Sequence, residues 1–211
     1  VTSENILQII KLLKDEYPNS KTSLIYSNPL KLLVATLLSA QCTDKKVNEV
    51  TKKLFAKYRQ VQDYANVDNK ELESDIKSTG FYKKKTKYLK QSCKMLIDTF
   101  NSKVPNTMND LLKLPGVGRK TANIVLSNAY GIVQGIAVDT HVKRLTQRLN
   151  LTLNKNPEKI ERDLMKIIPR EEWHAINSLL IDHGRKICKA KKPKCLICLL
   201  RDLCPSFCKI S

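Results

Sequence analysis

Four cysteines lie within seventeen residues in "CKAKKPKCLICLLRDLC", as Cys188, Cys195, Cys198 and Cys204 with the spacing C-x6-C-x2-C-x5-C. That spacing follows neither the period of a helix nor that of a strand. The end of the chain is therefore expected to wrap as an irregular loop, and four thiols this close are rarely core packing. No signal peptide or transmembrane span is visible: the longest apolar stretches, such as "LKLLVATLLSA" (30–40), are too short to cross a bilayer and lack a cleavage site. A reducing, cytoplasmic setting with no membrane attachment is expected. That setting favours a metal over disulfides.

Structural zinc usually joins two short-spaced cysteine pairs across a longer gap. Only Cys195 and Cys198 have the two-residue spacer, and the rest wrap in one continuous loop. This suits a cubane iron–sulfur cluster better, and Cys204-Pro205 matches the Cys-Pro end of bacterial ferredoxin runs. Spacing alone leaves zinc open. Lys189, Lys191, Lys192 and Lys194 lie in the same loop, so a group holding it rigid would present a basic knuckle to a polyanion. A solvated charge run is the alternative. Cys42 and Cys93 are expected in helices as packing residues, and Cys208 is given no role.

Most of the remaining chain has helical periodicity. Helices are expected over 4–18, 28–41 (from Asn28-Pro29), 43–58, 85–100, 156–169 (again from Asn-Pro) and 171–188. Convincing period-two alternation is absent, so the fold class is all-α. "YGIVQGIAV" (130–138), apolar and aperiodic, is the natural bridge between two lobes. The formal net charge of +18 comes from 38 basic against 20 acidic residues. Such an excess raises self-repulsion and points to a polyanionic partner, nucleic acid first, with a membrane surface or a Lys-biased composition as alternatives.

"LPGVGRKTA" (114–122) follows a short helix with a possible capping box at Thr107 and Asp110. It reverses the chain into a second helix closed by Gly131. A P-loop would need glycine at positions 114 and 119, which hold Leu114 and Arg119. A dinucleotide fingerprint would need a third glycine where Thr121 stands. What remains is helix, glycine hairpin, helix. Gly116 and Gly118 would permit a tight turn and let a phosphate approach bare amides at a helix start, or they are simply convenient turn residues. Lys120 lies about 160° around the wheel from Ala122 and its buried stripe, and so projects outward. The neighbouring Arg119 and the helix N-terminus both disfavour an ammonium there, which would favour a nucleophilic amine. A solvated charge is the plainer reading. Further on, Asp139 in "AVDTHVKRLTQRL" is either a helix N-cap or a carboxylate held at a cleft to stabilise positive charge or move a proton.

"LPGVGRKTA" followed at this distance by "VDTHV" resembles the helix-hairpin-helix and Gly-Pro-Asp motif of the DNA glycosylase superfamily, and within it the endonuclease III family. "LLSAQCTD" (37–44), "STGFY" (78–82) and "HGRKIC" (183–188) resemble family stretches in the same order, so the similarity spans nearly the whole chain. The chain departs from the family pattern in having no proline before Asp139.

The resemblance implies two helical lobes: a barrel at residues 22–133, and a second lobe of 1–21 with 134–211 carrying a [4Fe–4S] cluster on the four cysteines. It implies a base-excision-repair glycosylase and abasic-site lyase, acting as a monomer on double-stranded DNA with oxidised or ring-saturated pyrimidines or abasic sites. Lys120 would attack the sugar and form a Schiff base, Asp139 would assist, and β-elimination would cut the strand on the 3′ side. Gln41 would fill the space left by the extruded base, and Phe81, where leucine is common in the family, would wedge beside the orphan base. "KKKTKYLK" (83–90) would hold neighbouring phosphates. An adenine-specific mismatch glycosylase shares the scaffold but would lack lysine at 120 and carry a further C-terminal domain. A noncatalytic iron–sulfur DNA-binding or redox-sensing protein would not need Lys120 and Asp139 together.

Overall fold

The computed structural model describes residues 3–207; Cys208, to which the sequence assigns no role, lies outside them. The described residues form helices and turns with no strand. The chain divides into two compact units, Ser23–Gln134 on the one hand, and the chain up to Thr22 with the chain from Gly135 onward on the other.

The unit Ser23–Gln134 is built around α2 (Pro29–Leu38). Asn28 caps it by accepting from the Lys31 N–H at 2.9 Å, and Pro29 occupies the first helical position, where a missing donor costs nothing. Every residue from Leu32 to Leu38 is buried, so this helix is apolar all round rather than striped. Each fully buried leucine here contributes about 1.5–3 kcal/mol by leaving water. Ten residues span only about 15 Å, and among the described residues no helix is long and apolar enough to cross a membrane.

Beside α2 stands α3 (Asp44–Lys57), capped by Thr43, while the short α4 (Val61–Asn66) and α5 (Asn69–Ile76) pack against the long helix that follows them. These last two arise where the sequence shows little periodicity. Their starts are fixed by Asp63 accepting from the Arg59 and Gln60 N–H groups and by Asp68 accepting from Lys70 and Glu71. Val61, Tyr64, Leu72 and Ile76 root them in the core. The long α6 (Tyr82–Phe100), α7 (Met108–Leu111) and α8 (Arg119–Tyr130) complete the unit. Gly131 ends α8 at φ +66°, returning its N–H to the Leu126 carbonyl.

Helix α2 stops at Leu38, three residues before the end its apolar run predicts. Ala40, Gln41 and Cys42 therefore lie in the turn before α3. Gln41 is not a helix-end residue, and Cys42 is half-exposed rather than packed within a helix. Cys93, by contrast, is buried in α6, and burial pushes its thiol up to about 12.

The other unit joins α1 (Ser3–Glu16) to α9 (Thr140–Arg148), α10 (Pro157–Ile167) and α11 (Trp173–Lys186). Ile9, Leu13, Val142, Leu145, Leu164 and Leu180 meet in its core. Asn156 caps α10, accepting from the Glu158 and Lys159 N–H groups. A 3-10 turn at Arg170–Glu172 delays the start of α11 to Trp173. Lys14 pairs with Glu172 at 2.6 Å, and the Ser20 hydroxyl donates to Asp182 at 2.7 Å, fastening the first part of the chain to the last. Beyond α11 the cysteine segment forms two 3-10 turns, Cys195–Ile197 and Arg201–Leu203, and Leu200 between them is buried.

Candidate functional site

In the unit Ser23–Gln134, the residues of interest are arranged along one helix. Phe81 is the N-cap of α6. Lys85, Leu89, Ser92 and Leu96 follow at spacings of three and four on its buried face. Lys85 is only 6% exposed, and its Nζ donates to the carbonyls of Leu38 and Thr79, each at 2.8 Å. Burial pulls this lysine below its ordinary pKa range. Farther along, the Ser92 hydroxyl donates to the Pro115 carbonyl at 2.8 Å, and Tyr88 lies against Gly116. One helix thus touches the turn that carries Gln41, the turn that carries Phe81 and the glycine hairpin.

The lysine run "KKKTKYLK" does not behave uniformly. Lys83, Lys84 and Lys87 are exposed, whereas Lys85 is buried and the Lys90 ammonium donates to the Val67 carbonyl. The expectation that the whole run faces phosphates is corrected to its exposed members. Periodicity is the signal that separates them, because Lys85 falls on the stripe of Leu89 and Leu96. The Phe81 side chain is 62% exposed. Gln41 is exposed too, and both residues are left-handed, at φ 52° and 49°. Such angles are uncommon for residues other than glycine.

The hairpin between α7 and α8 is rooted by the buried Leu111, Leu114 and Val117. Thr107 caps α7 by accepting from the Asp110 N–H, and its hydroxyl donates to the Asp110 carboxylate at 2.8 Å. Gly116 has φ +82°, and a Cβ there would stand 2.7 Å from the Tyr88 ring. Only glycine meets both conditions. Gly118 is different. Its backbone is extended at φ −102° and a Cβ would meet nothing within 4 Å, so its lack of a side chain answers no demand of the fold.

Two substitutions separate these roles. Gly116→Ala is expected to cost about 2–4 kcal/mol in thermal unfolding, from left-handed strain plus displacement of Tyr88. Gly118→Ala should change stability by less than about 1 kcal/mol while weakening DNA binding in a gel-shift titration. Equal stability losses at both would contradict the assignment.

Lys120 is exposed on the first turn of α8, while Ala122, Val125 and Leu126 face the core. Helix α8 starts from Gly118, which has no side chain to cap the first amides. This leaves the helix start suited to an anion. Asp139 belongs to the other unit and is half-buried. It is the N-cap of α9, accepting from the Val142 N–H through Oδ1 at 2.8 Å.

In that same unit the four cysteines of the 188–204 loop are half-buried and free of disulfides. Burial first, then the charge of the neighbouring thiols, raises the pKa of Cys198 and Cys204. Holding these two as thiolates is therefore unfavourable without a cationic partner or hydrogen-bond donors. Their surroundings supply donors: the Leu200 N–H bonds to Cys198, the Ser206 N–H to Cys204, and Arg148 Nη1 to Cys188 Sγ at 3.2 Å. Burial lowers His183 to about 4, so its imidazole is neutral. With the Tyr17 hydroxyl 3.1 Å from Nδ1, Nε2 can donate to Cys198 Sγ at 3.3 Å.

Arg148 also holds the Lys189 and Ala190 carbonyls, and its own carbonyl accepts from the Ser206 hydroxyl, so it pins both ends of the loop. Arg144 holds the Gly184 and Cys188 carbonyls. The sequence gives no sign of these roles, because the partners are main-chain atoms far along the chain. Lys191 and Lys192 stand exposed on the loop.

Among the described residues, no three of His, Cys, Asp and Glu converge as ligands of a single metal ion would. A cluster keeps its thiolates farther apart, because iron and sulfide lie between them, and the hydrogen-bond donors around these sulfurs are those that thiolate-bound clusters use. Purified protein is expected to contain about four iron atoms and four acid-labile sulfides per chain. One zinc per chain without iron would contradict this.

Comparison with known proteins places the chain. The HhH-GPD superfamily of base excision DNA repair proteins matches residues 34–170, and the iron–sulfur binding domain of endonuclease III matches residues 188–204. The resident group of the cysteine loop is thus an iron–sulfur cluster. Endonuclease III of Synechocystis is 50% identical over 199 residues, covering 94% of this chain and 91% of the relative. The enzyme of Bacillus subtilis is 47% identical, covering 90% and 87%. A solved non-covalent endonuclease III–DNA complex superposes with a TM-score of 0.95 at 45% identity, covering 99% of this chain and 98% of the other. The chain belongs to the HhH-GPD superfamily of base excision DNA repair proteins and, within it, to the endonuclease III family.

Proposed function

We propose that this protein is a DNA glycosylase and abasic-site lyase that removes oxidised or ring-saturated pyrimidines from duplex DNA, with Lys120 as its nucleophile. The observation that carries the reading is the position of Lys120. It is an exposed amine on the first turn of α8, directly after a hairpin anchored on α6. A relative 45% identical over 99% of this chain has been captured as a trapped endonuclease III–DNA covalent intermediate. A lysine forms such a bond readily with a sugar carbon.

In the proposed reaction the Lys120 amine bonds to the anomeric carbon as the glycosidic bond breaks. The base leaves with the electron pair and takes up a proton. The nitrogen loses a proton, and the sugar's ring oxygen then leaves the anomeric carbon and takes up a proton, giving a protonated Schiff base with the opened sugar. Loss of a proton from the adjacent sugar carbon then expels the 3′ phosphate by β-elimination, and water hydrolyses the Schiff base to free the lysine. Asp139 helps the lysine lose its proton and stabilises positive charge on the sugar as the base departs. Its bond to Val142 uses one carboxylate oxygen and fixes its direction.

The remaining roles concern binding. Gly116 and Gly118 admit a phosphate to the start of α8. Gln41 and Phe81 enter the duplex where the base has left, offsetting a few kcal/mol of unstacking. Cys188, Cys195, Cys198 and Cys204 hold a [4Fe–4S] cluster that stiffens the loop, so that Lys191 and Lys192 meet the DNA backbone. Each phosphate so neutralised steepens the salt dependence of binding by close to one log unit per log salt. The enzyme acts as a monomer, associated with DNA in the cytoplasm.

The test is incision of an end-labelled duplex containing one 5,6-dihydrouracil. The expected product is a strand cut 3′ to the lesion and ending in an unsaturated aldehyde. Binding without incision of this duplex or of one with an abasic site would leave a noncatalytic DNA-binding protein.

A further inference from the structure

Lys85 is a buried cation whose partners are main-chain carbonyls. Leu38 is the last residue of α2, and Thr79 is the last residue of the 3-10 turn Lys77–Thr79. Both carbonyls are therefore at the negative ends of helical turns, where a positive charge is favoured. Neighbouring carbonyls are satisfied locally: the Ser39 hydroxyl donates to Thr36, the Thr79 hydroxyl to Ile76, and the Gly80 N–H to Lys77. The Leu38 and Thr79 carbonyls instead share one ammonium that comes from α6.

Each of these carbonyls stands just before a residue of unusual backbone. Gln41 lies three residues after Leu38 and Phe81 two residues after Thr79. Both are exposed, left-handed and not glycine. A backbone in that region persists only where its surroundings over-determine it. A leucine or methionine would suit the stripe of α6 at position 85 and would avoid burying a charge. The lysine adds a direct tether between two turns about forty residues apart.

We propose that Lys85 is a positioning residue for base extrusion, its ammonium locking the Gln41 turn and the Phe81 turn into one rigid edge that enters the duplex as a unit. This rests on the reading of Gln41 and Phe81 as the residues that enter the DNA. Extruding a base needs both side chains in register at the same step of the duplex. A turn that swings freely spends its contact energy on being ordered. The clamp therefore acts on removal of a stacked base and has little to do once the base is gone.

The experiment compares two single-turnover reactions of the cluster-loaded protein: removal of 5,6-dihydrouracil from duplex DNA, and strand cleavage at a preformed abasic site. Lys85→Met is expected to lower the first at least tenfold at saturating enzyme, and the second less than threefold. 2-Aminopurine beside the lesion should brighten in the wild-type complex and fail to brighten in the variant. Should Lys85→Met lose its cooperative melting transition, Lys85→Gln, whose amide can reach one carbonyl, is expected to show the same split. Equal losses in both reactions would reduce Lys85 to a general packing role, and no loss in either would remove the clamp. Gln41→Ala and Phe81→Ala are run alongside. If they slow base removal while Lys85→Met does not, the clamp alone is overturned. If neither slows it, the DNA-entering role of Gln41 and Phe81 falls and the clamp with it.

Discussion

Lys120→Ala is expected to bind damaged duplex DNA with close to wild-type affinity and to leave it uncut. Without the amine no Schiff base forms, so strand cleavage should fall by about four orders of magnitude or more, as is usual when a nucleophile is removed. Folding should be indifferent. The side chain is exposed, the stripe of Ala122, Val125 and Leu126 is untouched, and alanine is the better helix former. One positive charge among 38 basic residues matters little to affinity. Single-turnover incision on an abasic duplex checks the rate, and a gel-shift titration checks binding. A variant that still cuts at more than a few per cent of the wild-type rate would take the nucleophile's role away from this residue.

Asp139→Asn is the second large effect, and it separates a cap from a chemical group. Asparagine caps a helix as well as aspartate does, so the bond to Val142 can be kept and the melting temperature should hardly move. Asp139→Ala, which removes the cap, should cost about 1 kcal/mol. The amide cannot take a proton or offset a positive charge, so base removal by Asp139→Asn should fall by about 10²–10⁴-fold. An asparagine variant with full activity would make Asp139 a cap and nothing else.

How much of this was written in the sequence differs from element to element. Helix starts were legible where a side chain announces them, because the signal is local: Asn28 before Pro29, Thr43, Thr107, Asp139 and Asn156 all cap as their types suggest. The cysteine loop was legible as a metal loop from its spacing and the expected reducing setting, and its cluster from the family.

Other features depend on contacts that no window of sequence contains. The apolar run that begins at Pro29 continues past the point where α2 stops, because turn geometry rather than hydrophobicity ends it. Gln41 and Phe81 are left-handed without being glycine, which composition cannot foretell. The stripe of α6 marks Lys85 as buried, but the Leu38 carbonyl it holds lies far outside any stretch around it. Arg144 and Arg148 work on carbonyls some forty residues away. Gly116 and Gly118 look alike in "LPGVG", yet the fold demands glycine only at the first.

As the nucleophile, the amine of Lys120 becomes covalently bonded to the DNA sugar during the reaction. Borohydride reduction during reaction with a duplex carrying one abasic site, followed by proteolysis and mass spectrometry, tests it most directly. A trapped adduct whose sugar remnant maps to Lys120 is expected, and no adduct with Lys120→Ala. A remnant on another residue, or an adduct that survives the substitution, would contradict it.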